Sequence, residues 1–341
     1  MPVCESPSYH GYDVTNYRVI EKDYGTEQDF LDLMAACDAR GIRVIVDFVM
    51  NHTSNHHPWF QSSSDPDSAF FDWYRWSNTH PGYTGPWGQP VWHQHQNGLY
   101  YYGLFWSGMP DLNYTTPAVK QEMFDVAAYW LTEMRVAGFR CDAAKYIYED
   151  GATLEDTAAT FSFWEDFQIW YKTVNPEAMA VGEVWDRTDV VVQYVGSKFD
   201  FCFEFDLASL ILHSISIGNP TELRSTMAKL KTVYPYHQYG TFLTNHDQDR
   251  VFDVLQGSVD RAKLAASIYL TLPGIPYLYY GEEIAMAGVK PDEDIRRPMQ
   301  WNAETNGGFT TGEPWHDLNP NYPDYNVADM QSDPDSIWHH Y

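Results

Sequence analysis

The sequence predicts an α/β protein, a TIM-type (β/α)8 barrel, from two observations. Helical and β-branched stretches alternate from residue 26 onward, and polar residues collect at the C-terminal ends of the stretches that read as strands. An open nucleotide-binding sheet would instead want a glycine-rich phosphate loop after its first strand, and the sequence has none there.

Taken in order, Thr26 with Asp29 three residues on opens a helix whose apolar face is Phe30, Leu33, Met34 and Cys37, and Gly41 ends it. The run Ile42 to Val49 reads as a buried strand. Further strands are expected near 138–142, 178–185, 199–205, 239–247 and 276–282, with helices near 117–135, 157–173, 221–231 and 258–271. Asp47, Asp142, Glu183 and Asn245-His246-Asp247 then fall at C-terminal strand ends, where barrel enzymes build their sites. Residues 52–115 are rich in Trp, Tyr, His, Pro and Gly and too long for an ordinary loop, so they are expected to form a small excursion domain after the third strand. The expected division is a partial barrel at 1–51, the excursion domain at 52–115 and the rest of the barrel at 116–341, with a last helix starting near Ile337.

With 47 acidic and 21 basic residues the net charge is −26, which disfavours nucleic acid and anionic membranes as partners. The 13 Trp, 25 Tyr and 18 Phe include flat rings suited to stacking on sugars, although most aromatic rings are simply buried. Cys4, Cys37, Cys141 and Cys202 are widely spaced and expected to be free, buried thiols. As written, the chain shows neither an export signal nor a membrane span.

A lone acidic residue at a strand end often caps a helix or pairs with arginine, but three together suggest chemistry. Cleaving a glycosidic bond with retention needs a nucleophilic carboxylate and a protonated carboxyl roughly 5 to 5.5 Å apart. Adjacent barrel strands lie about 4.8 Å apart, so Asp142 and Glu183 on consecutive strands can meet that spacing.

The segments DFVMNHTS (47–54), GFRCDAAKY (138–146), VGEVWD (181–186) and FLTNHDQDR (242–250) resemble the four signature regions of the α-amylase family, glycoside hydrolase family 13. MPDLN (109–113) and HGYDVTNY (10–17) resemble two further family segments, so the likeness covers nearly the whole chain. The resemblance implies Asp142 as nucleophile, kept ionised by Arg140, Glu183 as general acid with a raised pKa, and Asp247 as the group that holds and distorts the sugar ring. It further implies that His52 and His246 hydrogen-bond that ring, that Tyr12 stacks on it, that Asp13 grips its far hydroxyls, and that Lys145 contacts the leaving-group sugar. Asp47 would support the site through Arg140. Asn51, Asp111 and the backbone carbonyl of Tyr146 match positions that bind a structural Ca²⁺ in many α-amylases.

Within the family, Ala143-Ala144-Lys145 after Asp142 and Val-Trp-Asp after Glu183 resemble α-amylases, which act inside α-1,4-glucans or maltooligosaccharides. MPDLN instead lies between the regions typical of oligo-1,6-glucosidases and neopullulanases, RRPMQW (296–301) with GGF (307–309) resembles exo-acting α-glucosidases as well, and Tyr146 replaces a His common in amylases. A non-catalytic scaffold or inactive fragment is the remaining alternative. The partner implied is an α-glucan or maltooligosaccharide, bound by a monomer, outside the cell or at its surface if a signal lies upstream and in the cytoplasm otherwise. Because a closed barrel needs eight strands and six are counted, the first two strands are expected upstream of residue 6, with Met1 to Pro7 ending the second. The β-sandwich that follows the barrel in relatives is also expected to be absent, making this a truncated chain.

Overall fold

The computed structural model describes residues 1–235 and 238–341. They form two compact bodies, Met1–Val184 with Gly196–Phe201, and Trp185–Val195 with Cys202–Tyr341.

In the first body, β1 (Cys4–Glu5) pairs antiparallel with β2 (Asn16–Ile20). A longer barrel strand was expected to end at Met1 to Pro7, but Pro2 and Pro7 flank the pair and can donate no ladder hydrogen bond. Helix α1 (Glu27–Asp38) starts as read: the Asp29 N–H donates to Thr26 Oγ1 at 3.2 Å, and the Thr26 N–H donates to Asp29 Oδ2 at 2.8 Å. Gly41 follows its end at φ 72°, a left-handed conformation that glycine adopts without a side-chain clash. Strand β3 (Val46–Phe48) is shorter than the run read from sequence, and Ile42 at that run's start is exposed.

The excursion segment holds α2 (Pro58–Ser63) and a three-stranded antiparallel sheet made by β4 (Trp76–Ser77), β5 (Trp92–Gln94) and β6 (Tyr100–Tyr102), with β6 in the middle. The chain then runs through α3 (Pro117–Thr132), β7 (Gly138–Cys141), α4 (Ala158–Val174) and β8 (Met179–Gly182). Strands β3, β7 and β8 are parallel neighbours, with Asp47 opposite Arg140 and Cys141 opposite Gly182. That register puts Asp142 and Glu183 one step beyond paired residues, side by side at the strand ends.

The second body contains α5 (Thr188–Val191), β9 (Phe201–Phe203, of which Cys202 and Phe203 belong here), α6 (Phe205–Ile217), α7 (Thr221–Val233), β10 (Tyr239–Thr241), α8 (Val251–Val254), α9 (Val259–Thr271) and β11 (Ile275–Pro276). Short helices α10 (Asp292–Ile295), α11 (Val327–Ser332) and α12 (Ile337–His340) follow. Strands β9, β10 and β11 are parallel, with Cys202 opposite Tyr239 and Gly240 opposite Ile275. Helix α6 lies outside every helical stretch read from the sequence. Its apolar residues, from Ile217 and Leu210 round through Leu207 and Ile211 to Leu212 and Phe205, cover more than half of the circumference and leave a narrow polar side at Asp206, Ser209, His213 and Ser216, a band wider than the single stripe that periodicity picks out. Strands 10 and 11 stop short of their expected ends because residues 242–247 and 277–282 leave the ladder as loops.

All four cysteines are free, three of them buried and Cys37 half-buried. Among the described residues no helix is long and apolar enough to cross a membrane.

Gly138 is the tightest point of the parallel ladder. Its φ is 152°, and a Cβ there would lie 1.9 Å from the Met179 carbonyl oxygen. Gly138→Ala is expected to separate β7 from β8 at their first pair and lower the unfolding free energy by about 3 kcal/mol or more, measured by urea denaturation.

Candidate active site

The strand ends of the first body converge on one buried guanidinium. Arg140 NH1 contacts Asp47 Oδ1 at 2.8 Å and also pairs with Asp142 Oδ1, while Arg140 NH2 lies 3.0 Å from Glu183 Oε1. One residue thus gathers three carboxylates and holds Asp142 and Glu183 on its two terminal nitrogens, a span compatible with the separation that retention requires. The Asp142 N–H continues the ladder to the Phe48 carbonyl at 3.2 Å, and the Glu183 N–H continues it to the Cys141 carbonyl at 3.0 Å. Both side chains therefore leave from fixed backbone.

Ala143 follows in a left-handed conformation, φ 51° and ψ 37°, uncommon for a residue with a Cβ. That turn aims its N–H at Glu183 Oε2, 3.1 Å away. The strain is spent on holding the carboxyl of Glu183.

The sequence reading has Arg140 keep Asp142 ionised, and the buried site alters that balance. Burial pushes the Asp142 carboxyl well above the usual range, Glu183 and Asp47 push it further, and the opposing pull of Arg140 is smaller than the effect of burial. A single guanidinium cannot fully offset the burial of Asp142 and the charge of the carboxylates beside it, so Asp142 holds a proton more tightly than a free carboxyl does.

Tyr12 donates its hydroxyl to Asp47 Oδ2 at 2.6 Å, and the Arg140 guanidinium lies 5.8 Å from the centre of its ring. Asp13 is buried and accepts from Ser6 Oγ at 2.7 Å. His52 is buried, with Nε2 unpartnered, and burial pushes its pKa down to about 3, so it is neutral. A neutral ring with a free nitrogen suits hydrogen bonding to a hydroxyl. Lys145 is buried, with Nζ 2.9 Å from Glu155 Oε2.

The second body holds the third carboxylate. Asp247 receives Arg296 NH2 on Oδ1 at 2.8 Å and has His246 Nε2 3.2 Å from Oδ2. Arg296 Nε also donates to the His246 carbonyl at 2.8 Å, so one buried side chain secures both residues. The loop carrying them is anchored in turn by Arg250, which is fully buried and donates to the carbonyls of Ile295 at 2.9 Å and Tyr280 at 2.7 Å. Sequence reasoning quoted Arg296 only within a motif and gave it no role. The available signal was its spacing, four residues after Asp292, in an acidic stretch.

Of the three residues read as Ca²⁺ ligands, two meet. Asn51 Nδ2 donates to Asp111 Oδ2 at 2.9 Å, and Asp111 Oδ1 accepts from the Leu104 N–H at 2.9 Å. Tyr146 packs into the apolar cluster that contains Leu104. The Asn51 Oδ1 atom is buried and unpartnered, and burial with the nearby Glu149 pushes Asp111 well above the carboxylate range. Turning the Asn51 amide over would set two oxygens side by side, so the donors fit a hard cation. Among the described residues no group of three His, Cys, Asp or Glu side chains forms a metal cluster. The pair of half-buried Arg75 and buried Glu149, Nε to Oε1 2.6 Å, adjoins this region and carries no mark in the sequence.

The family model for the alpha-amylase catalytic domain matches residues 1–341. Alpha-amylase 3 of Dictyoglomus thermophilum is 39% identical over 348 residues, covering 100% of this chain and 67% of that protein. The trehalose synthase/amylase TreS of Mycobacterium tuberculosis is 32% identical, covering 92% of this chain and 60% of its own length. Among solved structures, the alpha-amylase from H. orenii superposes with a TM-score of 0.90 at 40% identity, covering 100% of this chain and 70% of that one. The barrel fold read from the sequence is thus the fold of these relatives. The chain spans about two thirds of their length.

Replacing Arg140 with Leu strands three buried carboxylates and is expected to cost about 3–5 kcal/mol at pH 8. The Asp142 carboxyl, already raised by burial, is then raised further, so the folded state binds an extra proton from about pH 4 upward and loses stability as pH rises. Unfolding titrations should therefore show the deficit against wild type shrinking from pH 8 to pH 5. A deficit independent of pH would mean that the side chain acts by packing alone.

Proposed function

Because the chain belongs to the α-amylase family of glycosidases, glycoside hydrolase family 13, we propose that it hydrolyses α-1,4-glucosidic bonds within starch-like glucans and maltooligosaccharides, with retention of configuration. The observation that carries this reading is the pairing of Asp142 and Glu183 on one guanidinium, with the Ala143 N–H on Glu183.

The reaction begins with Glu183 protonated, as the general acid, and Asp142 ionised. An Asp142 oxygen attacks the anomeric carbon while Glu183 protonates the departing glycosidic oxygen, so the C–O bond breaks and a glycosyl ester forms. Glu183, now ionised, takes a proton from water, and that water displaces Asp142 from the anomeric carbon. Arg140 stabilises the negative charge as it passes between the two carboxylates. Asp247, held by Arg296 and His246, is suited to gripping ring hydroxyls as the sugar distorts. His52 is suited to the same role through its free nitrogen, and Tyr12 and Asp13 to the sugar's other edge.

The stretch after Asp142 supports an endo-acting amylase. Exo-acting or α-1,6-directed hydrolysis is the second reading, favoured by MPDLN and RRPMQW, whose Arg296 secures Asp247. Asn51, Asp111 and the Tyr146 carbonyl would hold a structural Ca²⁺, which supplies charge compensation to Asp111 and no chemistry at the reacting bond.

The protein should release reducing ends from maltoheptaose, and Asp142→Asn and Glu183→Gln should each lower kcat on the order of a thousandfold. A folded wild-type protein without turnover would favour the scaffold reading. Internal oligosaccharides appearing first from starch support endo action, whereas glucose alone, or preferred cleavage of isomaltose, supports the second reading. Added Ca²⁺ should raise the Tm by binding only the folded state, and Asp111→Ala should abolish that rise. An unchanged Tm across calcium and chelator would remove the ion from this account.

A further inference from the structure

The turn that holds the carboxyl of Glu183 is itself held, and every residue involved belongs to the first body. It starts at left-handed Ala143 and runs through a short helical turn, Ala144–Tyr146. The Tyr146 N–H donates to the Ala143 carbonyl at 3.1 Å, and the Ala144 N–H donates to the Glu183 carbonyl at 3.3 Å. Farther along the same loop, Leu154 is buried in the apolar cluster on which Tyr146 packs, and Thr157 caps α4 by accepting the Thr160 N–H at 3.1 Å. Glu155 and Asp156 lie between these two anchors. Asp156 is left-handed at φ 54°, which Asp adopts more readily than most residues, and its N–H donates to the Lys145 carbonyl at 3.0 Å. Two left-handed residues that are not glycine, Ala143 and Asp156, are thus stitched together across Lys145.

Glu155 adds the side-chain half of this clamp. Its Oε2 lies 2.9 Å from Lys145 Nζ, and its carboxylate also accepts from the Tyr146 hydroxyl. Lys145 is buried, and a buried ammonium needs a carboxylate beside it. Charge balance alone does not explain the arrangement, because Asp156 Oδ2 already lies 3.7 Å from the same Nζ. What Glu155 supplies is contact with two consecutive side chains at once, which ties the far end of the helical turn to the anchored stretch between Leu154 and Thr157. A left-handed residue with a Cβ relaxes unless its surroundings hold it, and Ala143 stands at the other end of that turn with its N–H on Glu183 Oε2.

We propose that Glu155 is a positioning residue for the general acid: by holding Lys145 and Tyr146 together it keeps the turn from relaxing at Ala143, and so keeps the Glu183 carboxyl directed at the glycosidic oxygen. Its action runs through the turn and its main chain. The proposal rests on the reading of Glu183 as general acid and adds the residue that keeps that acid in place.

In Glu155→Ala the Ala143 amide should exchange with solvent about tenfold faster than in wild type, read by hydrogen exchange and mass spectrometry of fragments spanning Asp142 to Tyr146. The kcat on maltoheptaose should fall about tenfold with KM little changed. On α-maltosyl fluoride, whose fluoride departs with little help from an acid, kcat/KM should stay within about twofold of wild type. Glu155→Gln keeps an oxygen for both donors and should recover most of the loss. Glu155→Asp, whose carboxylate is drawn back by one methylene, serves the same comparison if the alanine variant does not fold. Equal losses on both substrates, a loss confined to KM, or unchanged exchange at Ala143 would overturn the proposal. If wild type turns over neither substrate, the hydrolytic reading fails and the exchange measurement decides the clamp by itself: faster exchange in the variant supports it, and equal exchange removes it.

Discussion

A single arginine in a nearly dry place organises the first body. Three carboxylates at the ends of β3, β7 and β8 would repel one another and resist burial, and Arg140 offsets this by touching each of them. The strand register makes this possible: Asp47 lies directly opposite Arg140, and the ladder continues one step past each strand to set Asp142 and Glu183 beside it. Gly138 lets β7 lie against β8 closely enough for that register to hold. The left-handed turn at Ala143 is tolerated because the surrounding packing leaves no alternative, and its N–H is directed at Glu183 as a result.

The second body solves a related problem with two arginines. Arg250 lies fully buried against the rings of Tyr279 and Tyr280, 4.4 and 4.7 Å from their centres, and gathers main-chain carbonyls from separate loops. Arg296 then fixes Asp247 and the His246 carbonyl from the other side. Both contacts use the planar, always-charged guanidinium, which a lysine could not reproduce in the same geometry. A side chain held this firmly suits a group whose proposed role is to grip a changing sugar ring while its own position stays constant.

Much of the fold was legible. Three parallel strands in each body overlap the six stretches read as strands, and α1, α3, α4, α7 and α9 fall where periodicity put them, because each shows alternating or one-sided apolar spacing. Helix α6 escaped because its apolar band is wider than a single stripe and leaves only a narrow polar side. Strand lengths were overestimated because an apolar run does not by itself mark ladder pairing: Ile42 to Ile45 are exposed or half-buried before the strand begins, and Leu243 and Thr244 are buried after it ends. Of the candidate site residues, Asp47, Arg140, Asp142 and Glu183 meet in the first body, as do Asn51 and Asp111, and His246 meets Asp247 in the second. Arg296 and the Arg75–Glu149 pair were invisible in any functional sense, since a charged residue in sequence carries no mark of whether it will be buried.

The sequence by itself determined the family, the alternation that makes a parallel α/β protein, and which acidic residues end the strands. Those properties are local, written in periodicity and in contiguous motifs. Tertiary structure decided how charge is shared among them: burial outweighs Arg140 in setting the Asp142 proton affinity, and Asp247 depends on an arginine 49 residues away. Desolvation and long-range contact exist only once distant segments have excluded water together, so neither can be read along the chain.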